Sequence, residues 1–131
     1  MAVGLLDTSV LVDLAEPDLA AALPDQSAIS AISLAELASG PHLATTADER
    51  AGRQARLQQV EAMFEPLPFD VAAARSYGQI VAAVAENGRS HRRRVGDLLI
   101  AATAHANGLG LYTRHPGDFA GLERLVEIVG I

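Results

Sequence analysis

Short apolar runs alternate along this chain with segments of helical periodicity, and this alternation constrains the fold more than any other feature. The apolar runs are too short for typical helices and predict strands at 1–6, 27–31, 66–69, 109–113 and 125–129. Strands that alternate with helices usually pair in parallel, because each helical connection returns the chain to the same end of the sheet. The pattern therefore predicts an α/β fold with a mostly parallel sheet of about five short strands and helices on both faces.

Turn-forming residues predict where the intervening helices begin and end. The first helix should stop before Pro17, and the second, which begins at about Ser33, should end at Gly40 and Pro41. Longer helices are predicted at 46–65, 70–87 and 96–107. No repeat, low-complexity tract or linker interrupts the pattern, so residues 1–131 are predicted to form a single domain.

The composition excludes several kinds of chemistry. The chain of 131 residues has no cysteine, which rules out disulfides, thiolate zinc sites and cysteine nucleophiles. Its formal net charge of -6 predicts no attraction of the whole molecule to nucleic acid or anionic membranes, so any polyanion must be bound locally. The apolar runs are far shorter than the roughly 20 residues of a membrane helix, and no basic segment precedes a long apolar one at the start. We therefore expect a cytoplasmic protein.

Four acidic residues lie in apolar surroundings, where a carboxylate is unusual. They are Asp7, Glu36, Asp97 and Asp118. Asp7 directly follows the first predicted strand, Asp118 follows the fourth, and Asp97 lies in the first turn of a helix. The carboxyl ends of parallel strands share one edge of the sheet, where ligands of open α/β folds bind. These three carboxylates are therefore predicted to converge at that edge, and Glu36 can join them if its helix packs there.

Carboxylates held close together in a crevice of low dielectric repel one another, so they must take up protons or bind a cation. With oxygen ligands only, the hard ions Mg²⁺ and Mn²⁺ are favoured over Zn²⁺. Such an ion can lower the pKa of a bound water and polarise a phosphoryl oxygen. The acidic cluster therefore predicts a divalent metal site that is suited to hydrolysis of a phosphodiester.

Structural roles could also explain most of these acids one at a time. Ser33 and Glu36 have the spacing of a capping box, Asp97 is favourable to a helix dipole, and Asp118 suits a turn. Asp7 is the exception, because a carboxylate that ends an apolar strand is costly without a compensating partner.

Four separated segments share their order and spacing with one known family. They are LLDTSVLVDL at 5–14, SLAELASG at 33–40, GDLLIAATA at 96–104 and YTRHPGDFAGL at 112–122. Together they resemble the PIN-domain ribonucleases, and in particular the VapC toxins, over nearly the whole chain. The resemblance implies a PIN-like three-layer α/β/α sandwich. It also implies an Mg²⁺- or Mn²⁺-dependent endoribonuclease that is the toxin of a VapBC-type toxin–antitoxin module.

The resemblance implies roles for individual residues. The implied catalytic and metal-binding set is Asp7, Glu36, Asp97 and Asp118. Asp7 and Asp97 would bind the metal directly, and the other two acids would complete the site directly or through water. The hydroxyl of Thr8, with that of Ser9 close by, would support the first acid. His115 stands where the family often has Asn, which leaves the turn before the last acid less closely defined.

Basic side chains near these acids can bind the phosphates that the acids repel. Arg92, Arg93 and Arg94 lie shortly before Asp97, and Arg114 lies beside the last motif. Their guanidinium groups are predicted to bind RNA phosphates at the rim of the acidic crevice. Aromatic residues make up only 4% of the chain, which argues against a large stacking platform for RNA bases.

The resemblance further implies a homodimer and a small antitoxin whose tail covers the crevice in a toxin–antitoxin hetero-oligomer. The apolar segments 11–14 and 34–43 are expected to make these contacts. Two alternatives remain open at this point. One is a catalytically silent PIN-like protein that binds RNA or a partner. The other is a phosphatase of the haloacid dehalogenase type, which needs a second Asp where this chain has Ser9.

Overall fold

The computed structural model describes residues 2–131, and these contain a four-stranded parallel sheet. The strands are β1 (Val3–Leu6), β2 (Gln26–Ala28), β3 (Gly110–Thr113) and β4 (Ile128–Gly130), in the spatial order β2-β1-β3-β4. Leu5 of β1 lies opposite Ala28 on one side and Leu111 on the other. Because the strands are parallel, the loops that leave β1 and β3 emerge at the same edge of the sheet.

Helices cover both faces of this sheet. Within residues 2–131 they are α1 (Thr8–Val12), α2 (Pro17–Ala20), α3 (Ala31–Leu43), α4 (Ala47–Met63), α5 (Val71–Glu86) and α6 (Val95–Ala106). A first 3-10 helix (His91–Arg93) precedes α6, and a second (Pro116–Phe119) follows β3. None of the helices in this part of the chain is long and apolar enough to cross a bilayer.

The hydrophobic core has two parts, which lie on opposite faces of the sheet with β1 between them. Successive strand residues point to opposite faces, so Leu5 packs with Ile80 of α5 and Ile100 of α6, whereas Leu6 packs on the other face. Its partners there include Val10 of α1 and Val60 of α4. The result is the three-layer α/β/α sandwich around a parallel sheet that the sequence predicts.

The sequence prediction of a strand at 66–69 is wrong. Within 66–69 only Leu67 forms a bridge, and its partner Ser30 lies just beyond β2. The Leu67 amide nitrogen donates to the Ile29 oxygen at 2.9 Å, and its oxygen accepts from the Ala31 amide nitrogen at 2.8 Å. The segment is a short connection between α4 and α5, and prolines on both sides of Leu67 have no N–H to extend a ladder. The apolar run therefore forms an isolated bridge, and the sheet of residues 2–131 has four strands.

Pro17 and Pro41 do not end helices, although the sequence predicts that they do. Pro17 begins α2 at a first helical position, where its missing N–H costs nothing, and the preceding helix already ends at Val12. Pro41 lies inside α3, which continues to Leu43. Gly40 has no Cβ, which relieves the clash that disfavours helical backbone before proline, and its carbonyl accepts a hydrogen bond from Arg53 at 2.9 Å. A proline in the sequence was therefore a poor guide to the ends of these helices.

Candidate active site

The structure brings the acids that the sequence singles out to one region at the carboxyl edge of the sheet. Asp7 is the residue between β1 and α1, Asp97 lies in the first turn of α6, and Asp118 lies in the second 3-10 helix, after β3. Glu36 comes from α3, and its Oε2 lies 3.2 Å from the position that a Cβ would take at Gly96. Four separate parts of the chain therefore contribute carboxylates around the start of α6.

The electrostatics of Asp97 reflect this crowding. Burial raises the pKa of the Asp97 carboxyl above its ordinary value, and the negative charges of Asp7, Asp118 and Glu36 raise it further. The positive charge of Arg94 acts in the opposite direction and does not cancel the rise. The acidic side chains around Asp97 therefore carry more negative charge than Arg94 offsets.

Asp7 is the most deeply placed of the four acids, with only 4% of its surface exposed. Its Oδ2 accepts hydrogen bonds from the hydroxyls of Ser9 at 2.7 Å and Thr113 at 2.9 Å. Its Oδ1 is buried and has no hydrogen-bond partner among the described residues. One oxygen of this carboxylate is therefore fixed, and the other is left without the partner that a buried polar atom normally has.

Backbone amides determine the direction of the two hydrogen bonds to Asp7. The amide nitrogen of Arg114 donates to the Ser9 hydroxyl at 3.1 Å, and that of His115 donates to the Thr113 hydroxyl at 3.0 Å. Because amides can only donate, both hydroxyl protons are available to Asp7. Thr113 was not among the predicted site residues. It ends β3, and its place beside the end of β1 follows from the pairing of these two strands, which no local sequence signal indicates.

Glu36 is held by hydroxyl groups as well. Its Oε1 accepts from Thr8 Oγ1 at 2.7 Å, and Thr8 Oγ1 lies 2.8 Å from the hydroxyl of Ser33. The capping-box interpretation of Ser33 and Glu36 is wrong, because Ser30 is the N-cap of α3 and accepts from the Ser33 amide at 3.1 Å. Glu36 therefore lies beyond the first turn of α3, where it has no capping role.

Arg94 is the basic residue in direct contact with the acids. Its Nη1 lies 2.8 Å from Asp118 Oδ1 and 3.5 Å from Asp97 Oδ2. Arg92 and Arg93 belong to the first 3-10 helix and are exposed. The three consecutive arginines therefore lie at the border of the acidic region, and only Arg94 reaches into it.

The fourth predicted basic residue, Arg114, is directed towards other acids. Its guanidinium lies 3.3 Å from Glu16 Oε2 and 3.6 Å from Asp13 Oδ2. Arg89, which was not among the predicted site residues, donates from its Nη1 to the carbonyl of Ala120 at 3.1 Å. Arg89 thereby ties the end of α5 to the loop that carries Asp118. Only its place ahead of the arginine run could have indicated this role.

The donor set fits a hard divalent cation. The four acids offer only carboxylate oxygens, and the unpartnered Oδ1 of Asp7 is a buried polar atom that a cation would satisfy. No group of three or more acidic or histidine side chains within residues 2–131 already surrounds a common ion position. A hard divalent ion that keeps several waters and binds one or two protein carboxylates would not require three converging side chains.

Comparisons with known proteins agree with this geometry. The PIN domain family model matches residues 4–117. The chain is 41% identical over 138 residues to Ribonuclease VapC5 of Mycobacterium tuberculosis (strain ATCC 25618 / H37Rv), which covers 99% of this chain and 96% of that protein.

Solved structures with the same fold include toxin–antitoxin proteins. The crystal structure of VapBC-5 from Mycobacterium tuberculosis, a member of the VapBC family of toxin–antitoxin systems, matches with a TM-score of 0.87 and 41% identity over 100% of both chains. The crystal structure of FitAcB from Neisseria gonorrhoeae matches with a TM-score of 0.77 and 30% identity, over 97% of this chain and 96% of that one. The chain therefore belongs to the PIN domain family, within its VapC group.

Proposed function

We propose that this protein is a metal-dependent endoribonuclease and the toxin component of a VapBC-type toxin–antitoxin module. One observation supports the proposal, namely that Asp7, Asp118 and Glu36 lie near enough to Asp97 to raise its pKa, while the buried Oδ1 of Asp7 has no partner among the described residues. The ribonuclease name of the 41% identical relative supports RNA as the substrate. Membership of the PIN domain family rules out the alternative of a phosphatase of the haloacid dehalogenase type.

The metal site is proposed to use Asp7 and Asp97 as direct ligands of Mg²⁺ or Mn²⁺, with Asp118 and Glu36 binding directly or through water. A bound ion of this kind lowers the pKa of a water ligand and stabilises charge on a phosphoryl group. The hydroxyls of Ser9 and Thr113 fix Oδ2 of Asp7, which leaves its Oδ1 for the ion.

Glu36 is proposed to orient the attacking water and to accept its proton. Thr8 donates to Oε1 of Glu36, so Oε2 remains available as the acceptor. The water oxygen forms a bond to phosphorus while the bond from phosphorus to the 3′ oxygen breaks. The 3′ oxygen then takes a proton from solvent, which gives 5′-phosphate and 3′-hydroxyl ends.

Arginines at the border of the site are proposed to bind the RNA backbone. Arg92 and Arg93 are exposed and can reach phosphates without breaking a described ion pair, whereas Arg94 must leave its acidic partners to do so. Arg114 would likewise have to leave Asp13 and Glu16. We therefore expect Arg92 and Arg93 to make the first phosphate contacts and Arg114 to contribute least.

The proposed partners are a small antitoxin and a second copy of the chain, in a toxin–antitoxin hetero-oligomer that acts in the cytoplasm. The VapBC-5 neighbour, from a family of toxin–antitoxin systems, supports this assembly. In the two apolar segments expected to make the contacts, Leu11 and Leu37 are buried in the core of the chain itself. Val12 and Leu43 are exposed, at 42% and 71%, and are the side chains available to a partner.

The test is cleavage of cellular RNA by the purified protein with Mg²⁺ or Mn²⁺ and then with EDTA. We expect cleavage only with the metal. Asp7→Asn should slow cleavage by more than about 100-fold, the upper end of what loss of an outer-sphere partner costs a metal enzyme. Asp13→Asn, which removes a surface acid that pairs with Arg114, is the matched control and should cleave as the wild type does.

Two results would contradict the proposal. One is cleavage that persists in EDTA, and the other is cleavage that Asp7→Asn leaves unchanged. Absence of any cleavage by the wild type with either metal would favour the catalytically silent alternative.

A further inference from the structure

The way in which α5 ends gives Arg89 a defined place beside the acidic site. Gly88 follows the helix with a φ of +70°, a left-handed conformation that favours glycine. Its amide nitrogen donates to the Ala85 oxygen at 3.0 Å, and the amide nitrogen of Arg89 donates to the Val84 oxygen at 3.1 Å. These two hydrogen bonds form the Schellman motif with which many helices end. The backbone of Arg89 is therefore fixed relative to α5.

Residues 117–121, which we call the Asp118 loop, have a glycine at each end. Gly121 has a φ of +95°, which glycine adopts without strain, and Gly117 has no Cβ to restrict its backbone. Between them Phe119 is buried and anchors the loop in the core, whereas the Asp118 side chain is 33% exposed. The position of the Asp118 carboxylate therefore depends on contacts that restrain the backbone of the loop.

The side chain of Arg89 provides such a contact. Its Nη1 donates to the carbonyl of Ala120 at 3.1 Å and to that of Gly117 at 3.4 Å. These two carbonyls lie on either side of Asp118 and Phe119 in the chain, so one guanidinium group bridges the part of the loop that contains the acid. Hydrogen bonds from a guanidinium group are charge-assisted and stronger than those between neutral groups. Arg89 therefore holds the backbone of the Asp118 loop against the end of α5.

Arg89 and Arg94 hold Asp118 in different ways. Arg94 contacts the carboxylate itself, with its Nη1 2.8 Å from Asp118 Oδ1. A cation that binds Asp118 competes with this contact, because both need the same carboxylate oxygens. Arg89 contacts only backbone carbonyls, so its hydrogen bonds remain when the carboxylate binds a cation. Arg89 is therefore the arginine that can hold Asp118 in place while the acid acts.

We propose that Arg89 is a positioning residue, which holds Asp118 in the acidic site through the backbone of the Asp118 loop. The proposal rests on the proposed function, because it assigns Arg89 a part in metal binding by Asp118. Removal of a positive charge near the acids would by itself strengthen the binding of a cation. Loss of a positioning contact should weaken it instead, so the direction of the change distinguishes the two roles.

The first test measures the affinity of the protein for Mn²⁺ in the absence of RNA, from the electron paramagnetic resonance signal of the unbound ion. Arg89→Met removes the hydrogen-bond donors and keeps a long side chain at an exposed position. We expect Mn²⁺ to bind this variant about tenfold more weakly than the wild type, the lower end of what loss of a supporting residue costs a metal site. Unchanged or stronger binding would overturn the proposal.

Arg124→Met is the matched control, because it removes the same charge from another arginine beside α5. The Arg124 side chain is 90% exposed, and its described ion pair is with Glu86 of α5 at 3.6 Å. This variant should bind Mn²⁺ as tightly as the wild type does. An equal loss of affinity in Arg124→Met and Arg89→Met would overturn the proposal, since it would not depend on contact with the Asp118 loop.

A double-mutant cycle shows whether Arg89 acts through Asp118. Asp118→Asn should itself weaken Mn²⁺ binding, and Arg89→Met should not weaken it further in that variant, because the acid that it positions is already gone. A further loss of about tenfold in the double variant would overturn the proposal, because Arg89 would then support a different part of the site.

Amide hydrogen exchange in EDTA tests the backbone contact without any metal. The Ala120 amide nitrogen donates to the Gly117 oxygen at 3.3 Å, within the segment that Arg89 bridges. Arg89→Met should speed exchange in peptides that cover 116–121 by at least about tenfold, and Arg124→Met should not. Unchanged exchange in Arg89→Met would overturn the proposal. If Arg89→Met does not fold, Arg89→Gln replaces it under the same expectations, because its shorter side chain cannot bridge both carbonyls.

The outcome can be separated from that of the proposed function. A wild type that binds Mn²⁺ and cleaves RNA, together with an Arg89→Met variant that binds Mn²⁺ as tightly, retains the ribonuclease and loses the positioning role. A wild type that binds no Mn²⁺ loses the proposed metal site, whereas faster exchange in Arg89→Met would still show that Arg89 holds the Asp118 loop.

Discussion

The two halves of the acidic site are stabilised in different ways. Asp7 and Glu36 form the hydroxyl-held pair, since their described side-chain hydrogen bonds come from the neutral groups of Ser9, Thr113 and Thr8. The other two acids, Asp97 and Asp118, form the arginine-held pair, since both contact the guanidinium of Arg94.

The two modes of stabilisation differ in how much negative charge they leave available to a cation. A hydroxyl orients a carboxylate oxygen without cancelling its charge, so the hydroxyl-held pair keeps its full negative charge in a fixed geometry. An arginine cancels charge, but it does so through a long side chain that can move away. Arg94 is 41% exposed, which leaves it room to do so. The fold therefore fixes the hydroxyl-held pair with its charge intact, whereas the charge of the arginine-held pair is offset in part by a side chain that can move.

Among changes to the side chains that hold the two pairs, removal of a hydroxyl that donates to the hydroxyl-held pair should have the largest effect. Thr113→Val removes a buried hydrogen bond to Asp7 and the acceptor of the His115 amide, whose hydrogen bond is partly buried. We expect it to lower the free energy of unfolding by about 1–3 kcal/mol. RNA cleavage should fall by about 10- to 100-fold, as for other residues that orient a metal ligand. Urea unfolding and initial cleavage rates measure the two effects.

Thr113→Ser is the control for that variant, because it keeps the hydroxyl and removes only a methyl group. It should retain most of the activity. Equal losses in the serine and valine variants would show that packing of Thr113, rather than its hydrogen bond to Asp7, is what the site needs, and the contrast between the two pairs would fail.

Removal of Arg94, which holds the arginine-held pair, should have a smaller effect. It should raise the affinity for a metal ion, whereas the previous variant lowers activity. Arg94→Gln eliminates the positive charge that competes with a divalent ion for Asp97 and Asp118. A partly exposed ion pair is worth about 0.2–1 kcal/mol, so the Mn²⁺ affinity should rise by at most about fivefold. Calorimetric titration with Mn²⁺ measures it, with Arg92→Gln as the control that should change the affinity less. A weaker affinity in Arg94→Gln would mean that Arg94 positions the acids for the ion.

The smallest effect is expected on the stability of the fold, and it follows from the raised pKa of the Asp97 carboxyl. A raised pKa means that the folded protein binds this proton more tightly than the unfolded chain, so the charged carboxylate costs stability at neutral pH. Asp97→Asn should therefore raise Tm at neutral pH in EDTA. The gain should shrink as the pH falls through the raised pKa towards the ordinary value of 3.8. Thermal unfolding across this range measures it, and a lower Tm at neutral pH would contradict the crowding of charge at Asp97.

The acids at strand ends and helix starts were accessible to sequence analysis. Asp7 and Asp118 follow apolar runs, and Asp97 precedes one, so the topology of a parallel sheet already places them at one edge. Glu36 was less accessible, because its spacing from Ser33 also fits a capping box. Only the observed start of α3 at Ala31 removes that explanation.

Sequence patterns alone predict the alternation of strands and helices, the parallel sheet and the four candidate acids. These features follow from local periodicity and from the order of elements along the chain, and both can be read from the amino-acid sequence. Three features emerge only once the chain has folded: the single bridge of Leu67, the continuation of α3 through Pro41, and the hydrogen bond from Thr113 to Asp7. Thr113 and Asp7 are 106 residues apart in the chain. Such a contact depends on which strands become neighbours and in what register, and no local pattern of residues encodes that choice.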